Sequence, residues 1–210
     1  MRRCIAITVL LGLTAFTACN DPAADTTKAR TGEAAQVASP AAAQGGQKYQ
    51  ITSQNSKIEF VGSKVTGKEN GSFKDFSGQI DYTGNPETSR VNITIKVDSI
   101  TTDSPDLAKH LKTADFFDVA KFPEASFVST AIKAGGENGA THTVTGNLTM
   151  HGVTKAVTFP ATINVTPDAA TVESSFSINR KDFGINYAGN ADNLIRDNVV
   201  LTLHIRATKA

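Results

Sequence analysis

The chain has no tryptophan, two cysteines and two methionines, and 21 Lys and Arg stand against 20 Asp and Glu in 210 residues. Each shortage excludes something. Without a basic excess there is no face built for nucleic acid, which is bound chiefly through its phosphates. Cys4 and Cys19 give neither a disulfide framework nor a paired-thiol metal motif. His110, His142, His151 and His204 stand at no ligand spacing, so no metal is expected. No Gly-x-Ser-x-Gly elbow and no phosphate-cradling glycine loop occurs, so no catalytic residue and no cofactor is expected. Carboxylate pairs such as Asp115 with Asp118 read as solvated, and an unrecognised hydrolase stays the lesser alternative. Long apolar runs are missing too: Ile5 to Phe16 is the longest, and it is too short to span a bilayer.

That run follows Arg2 and Arg3 and precedes small residues, so 1–18 reads as a secretory signal peptide. Phe16-Thr17-Ala18-Cys19 resembles a bacterial lipobox, with Phe where Leu is usual. The resemblance implies that Cys19 becomes the N-terminus and carries lipid, which would account for an exported thiol with no partner. Removing the signal takes away Arg2 and Arg3 and turns the net charge from +1 to about −1. The anchor would then be covalent rather than electrostatic. Asn20 after the Cys points to the outer membrane under enteric sorting rules; the alternative is a soluble periplasmic or secreted protein. Residues 19–48 lack aromatics and apolar periodicity and read as a lipidated Cys followed by a disordered tether. Its r.m.s. reach would be roughly 30 Å.

Residues 49–210 form one domain rich in Val, Ile, Thr and Phe. Val91, Ile93, Ile95 and Val97 alternate with Asn92, Thr94, Lys96 and Asp98, the period-two pattern of a strand with one dry face. Val199, Leu201, Leu203 and Ile205 repeat it, as do Val157, Phe159, Ala161 and Ile163. Eight or nine strands follow, joined by short links such as Lys68-Glu69-Asn70-Gly71 and Gly84-Asn85-Pro86. Sequential one-sided strands close into an antiparallel up-and-down barrel, which also removes exposed edges. A two-sheet sandwich is the alternative. One link departs from this pattern. Ser104 can cap, Pro105 suits a first helical turn, and Leu107 and Leu111 share a face, so a short helix is expected near 104–112.

The faces expected to point inward interleave Phe60, Phe76, Phe159 and Phe176 with Gly62, Gly78, Gly146 and Ala161. Large with small fits a packed core or a lumen equally, and an eight-stranded barrel lies at the boundary between them.

Three blocks carry a resemblance: "SITTDSPDLAKHLKTADFFDVAKFPEASFVST" at 99–130, "VTGNLTMHGVTKAVTF" at 144–159 and "FSINRKDFGI" at 176–185. Together they resemble the YceI-like family of bacterial periplasmic proteins. The resemblance implies an extended lipocalin-like barrel whose apolar lumen holds a long polyisoprenoid, such as a quinone or prenyl phosphate, for transport, storage or stress response. On it, Phe60, Phe76, Phe127, Phe159 and Phe176 are expected to line the tail's path. Phe116 and Phe117 match the family's paired aromatics, one expected to pin the helix and the other to point into the mouth. Asp106-Leu107-Ala108-Lys109 stands where many members carry an Arg-acid pair, with Lys109 as a possible point charge. Arg180 is expected to make a structural ion pair, with Asp103 or Asp115. The competing function is a membrane-tethered interaction module with a filled barrel.

Overall fold

A computed structural model describes residues 21–36, 46–191 and 193–210. The expected signal peptide at 1–18 and Cys19 lie outside the described residues. In chain order the strands are β1 (Arg30–Glu33), β2 (Gln47–Thr52), β3 (Lys57–Lys64), β4 (Gly67–Phe73), β5 (Phe76–Tyr82), β6 (Arg90–Lys96) and β7 (Ile100–Thr102). Helix α1 (Pro105–Leu111) follows, then β8 (Glu124–Ala134), β9 (His142–Met150), β10 (Val153–Val165), β11 (Ala169–Asn179), β12 (Gly189–Asn190), β13 (Asn193–Leu194) and β14 (Asn198–Lys209).

Eight antiparallel staves close into a barrel. The first three are broken strands: β2 with β3, β4 with β5, and β6 with β7. The other five are β8, β9, β10, β11 and β14, and β14 closes the ring by pairing with both β2 and β3. Serine side chains stitch the breaks. The Ser56 hydroxyl accepts from the Arg206 amide at 3.0 Å, across the gap between β2 and β3. That of Ser99 accepts from the amides of Lys74 and Asp75 at 3.1 and 2.9 Å, between β4 and β5. A hydroxyl can replace a missing ladder partner and so lets a stave bend without leaving its amides bare.

Helix α1 starts as its sequence dictates. Ser104 accepts from the Leu107 amide, Pro105 takes the first turn, and Lys109 and His110 sit in the last. Elsewhere local composition misleads. Lys68 to Gly71 reads as a turn but belongs to β4, paired with Ser63 to Phe60 of β3. The hairpin turns instead at Val65 and Thr66, because cross-strand pairing outweighs weak strand propensity.

The larger correction concerns the segment read as a tether. Residues 21–36 lie on the barrel. β10 and β11 pair only from Thr162–Val165 to Ala170–Glu173, and the ladder stops short of Pro160, which has no N–H to give. Above that point β1 pairs with β10 from Thr158 to Lys155, while Lys28 bridges in parallel to Ser177 of β11. The segment thus fills a slot in the wall. Ala29 is buried in the core cluster that contains Phe159 and Phe176. Asn147 exchanges two hydrogen bonds with the Ala35 backbone, at 2.9 and 2.7 Å, and Thr31 donates to Asp182 at 2.7 Å. A polar stretch orders here because the slot offers two unpaired strand edges.

Candidate functional site: an apolar lumen

The barrel is not filled. About 250 Å³ of its interior is free for the centre of a water molecule, and nearly the whole wall is apolar. Two glycines explain how a lumen survives among so many phenylalanines. A Cβ at Gly71 would stand 2.1 Å from the ring of Phe60, and one at Gly146 would stand 2.3 Å from that of Phe127. Each ring lies flat over a residue with no side chain, so it coats the wall instead of crossing the interior. The same pairing of ring with glycine stabilises strands that would otherwise be weak. Gly146→Ala also drives its methyl to 2.7 Å from the Val128 carbonyl oxygen. The expected loss is about 1–3 kcal/mol, the usual penalty for overpacking, measured by urea unfolding.

One end is sealed. Tyr49 and Ile51 are fully buried there, and the Tyr49 hydroxyl donates to the Thr166 carbonyl at 2.7 Å. Burial, then the neighbouring Tyr82 and Asp168, push the phenol above its ordinary pKa. The other end carries the lumen's few polar groups. Lys64 and Glu69 line the cavity, pair at 3.0 Å, and remain about a third exposed. Here α1 contributes Leu107 and Leu111, and the loops contribute Phe116, Phe117, Ile185 and Ile195. The wall is therefore greasy to its closed end and ionic at its mouth.

Arg180 frames that mouth. Its guanidinium donates to the carbonyls of Ile185 at 2.7 Å, Arg196 at 3.1 Å and Ile195 at 3.3 Å, and meets Asp197 at 3.4 Å. Burial pulls its pKa down and Asp197 opposes that. The expected partners are corrected: Asp103 accepts instead from Asn70 and Asp115 binds His110. Nearby, His151 Nδ1 donates to the Phe183 carbonyl at 3.1 Å, which fixes the turn into β10 against the Arg180 loop.

Of the seven phenylalanines expected to meet a ligand, Phe60, Phe116, Phe117, Phe127, Phe159 and Phe176 line the cavity. Phe76 does not. It is buried in the basal cluster around Tyr49 and Ile51, where its ring completes a core. Phe116 and Phe117 do not divide their work as expected, because both reach the cavity. Phe116 also packs on His110 and Tyr187, with centroids 5.1 and 5.2 Å away, and so holds α1 down. Phe117 meets Phe73 edge-on at 6.2 Å. Lys109 pairs with Asp106, both largely exposed, and does not line the lumen. Among the described residues no group of three His, Cys, Asp or Glu could hold a metal ion.

A model of the YceI-like domain matches residues 49–207. The chain belongs to the YceI-like family. A UPF0312 protein of Pseudomonas putida (strain GB-1) is 44% identical over 126 residues, which is 57% of this chain and 65% of the relative's own length. The chain thus spans somewhat less than two thirds of the curated relatives it matches. BcnA of Burkholderia cenocepacia superposes with a TM-score of 0.67 at 27% identity, covering 75% of this YceI-like chain and 99% of its own. A polyisoprenoid binding domain from Saccharophagus degradans shares the fold at a TM-score of 0.62 and 17% identity, over 79% and 99% of the two chains. Slot-filling β1 lies outside the residues that the family model matches.

Proposed function

We propose that the protein binds a long-chain amphiphilic isoprenoid lipid, of quinone or prenyl phosphate type, with its tail in the lumen. It carries or stores that lipid in the bacterial envelope, and it is a binding protein rather than an enzyme. One observation carries the reading: a closed-ended apolar lumen meets an ionic rim at its mouth. That polarity suits a molecule with a greasy tail and a polar head. A tail offers several hundred Å² of apolar surface, and at about 25 cal/mol per Å² its burial contributes several kcal/mol before ordering costs. A distant fold neighbour is itself described as a polyisoprenoid binding domain, which agrees with this reading.

The test is mass spectrometry of an organic extract of the protein purified from its own host. A near-stoichiometric isoprenoid is expected. Protein that repeatedly yields no isoprenoid, or only phospholipid acyl chains, would overturn the assignment.

A further inference from the structure

Among the described residues the large apolar side chains left exposed are Val65, at 53%, and Leu194, at 49%. They are neighbours: the Val65 amide donates to the Leu194 carbonyl at 3.2 Å. They are also next in sequence to the mouth, since Lys64 and Ile195 bridge to each other and both line the lumen. The tip of the β3–β4 hairpin and the end of β13 thus form an apolar knob on the rim.

The N-terminal segment ends at the same place. Asp21 pairs with Arg196 at 3.2 Å, and the Arg196 amide donates to the Ser63 carbonyl at 2.9 Å, two residues from Val65. From there the segment is tied down along the wall by Ser177, Asp182 and Asn147. Asp21 is two residues from Cys19 in the sequence, and two residues of chain reach at most about 7 Å.

We infer that the lumen mouth is a membrane-docking face. The segment from Asp21 to Glu33 is a strap, not a spacer. It holds the Val65–Leu194 knob against the phospholipid bilayer that anchors Cys19, so the lumen opens directly onto that bilayer. The inference rests on lipidation of Cys19 and, for what passes through the mouth, on the lipid-binding reading above. It replaces a barrel that swings freely at the end of a tether.

The absence of tryptophan makes the test clean. Full-length protein carrying Val65→Trp is purified from bacterial membranes and placed in phosphatidylethanolamine–phosphatidylglycerol vesicles whose acyl chains are brominated. Emission should shift to the blue and fall roughly twofold or more, as for a side chain within the headgroup–acyl boundary. Asp168→Trp, in the exposed turn at the sealed end, should show neither change. Asp21→Arg added to Val65→Trp should remove most of the quenching. Equal quenching at both ends, none at either, or recovery of the chain only from the soluble fraction would overturn the inference. So would a blue shift that grows with protein concentration without vesicles, which would mark a second copy on this face. Quenching decides docking whether or not the lumen holds a lipid, and lipid content is measured separately in the extract.

Discussion

Gly62→Phe should empty the lumen of lipid without unfolding the barrel. Gly62 lines the cavity, and a Cβ built on it meets no atom within 4 Å. Its neighbours two residues away on β3, Phe60 and Lys64, line the cavity too, so the position faces inward just inside the ionic rim. A phenyl ring there enters free space instead of a packed core, so the usual overpacking penalty is avoided. It takes the volume that a tail must cross. Lipid recovered per protein should fall about tenfold or more, a difference of about 1.4 kcal/mol or greater in affinity. The midpoint of urea unfolding should hold or rise, because apolar surface is added where apolar surface waits. Unchanged lipid content in a folded variant would mean the tail does not run past β3. Phe159→Asp is the poorer probe. Phe159 is 5% exposed and stacks on Phe176 at 4.2 Å, so a carboxylate there would have to unfold part of the wall or stay protonated.

The barrel was legible because period-two alternation on strands such as Arg90–Lys96 and Asn198–Lys209 is a local signal with one reading. Helix α1 was legible from its cap, its proline and its paired leucines. Lumen against packed core was not, since the same alternation of large and small serves both. What decides it is where each ring meets a glycine across the sheet: Phe60 over Gly71 is directly opposite, and Phe127 over Gly146 is diagonal. Register is a tertiary fact that one strand's sequence does not contain. Phe76 was misplaced for the same reason, as its inward face meets the basal core and not the cavity.

The tether was misread through a sound rule. Low hydrophobicity argues that residues 21–36 cannot order themselves. They do not need to. The slot between β10 and β11 supplies the backbone partners, Asn147 supplies both ends of a reciprocal pair, and one small side chain, Ala29, fills the core. The nearby sign in the sequence was Pro160, a residue that sits poorly inside a closed ladder.

Arg180→Ala should be the most destabilising single change at the mouth. Arg180 is 5% exposed, and its guanidinium serves three backbone carbonyls besides Asp197. Removing it leaves those carbonyls buried and unpaired, at about 1–3 kcal/mol each where water cannot follow. Asp197 adds little to the loss, because it is 42% exposed and keeps its pair with Lys181, so the carbonyls carry most of the cost. At this chain length the melting temperature should drop by roughly 10 °C or more. Arg180→Lys should recover less than half, because one ammonium cannot reproduce a planar fork aimed at separated carbonyls. Lys181→Ala is the control. Lys181 also pairs with Asp197, at 2.9 Å, but is 45% exposed, so its loss should change stability by less than about 1 kcal/mol. Two of the carbonyls held by Arg180 belong to Ile185 and Ile195, which line the lumen. The Ala variant should therefore speed amide exchange across residues 184–197 and lose lipid even below its melting point. A melting temperature within a few degrees of the parent would show that the loops hold themselves, and Arg180 would then be an ornament of the mouth rather than its frame.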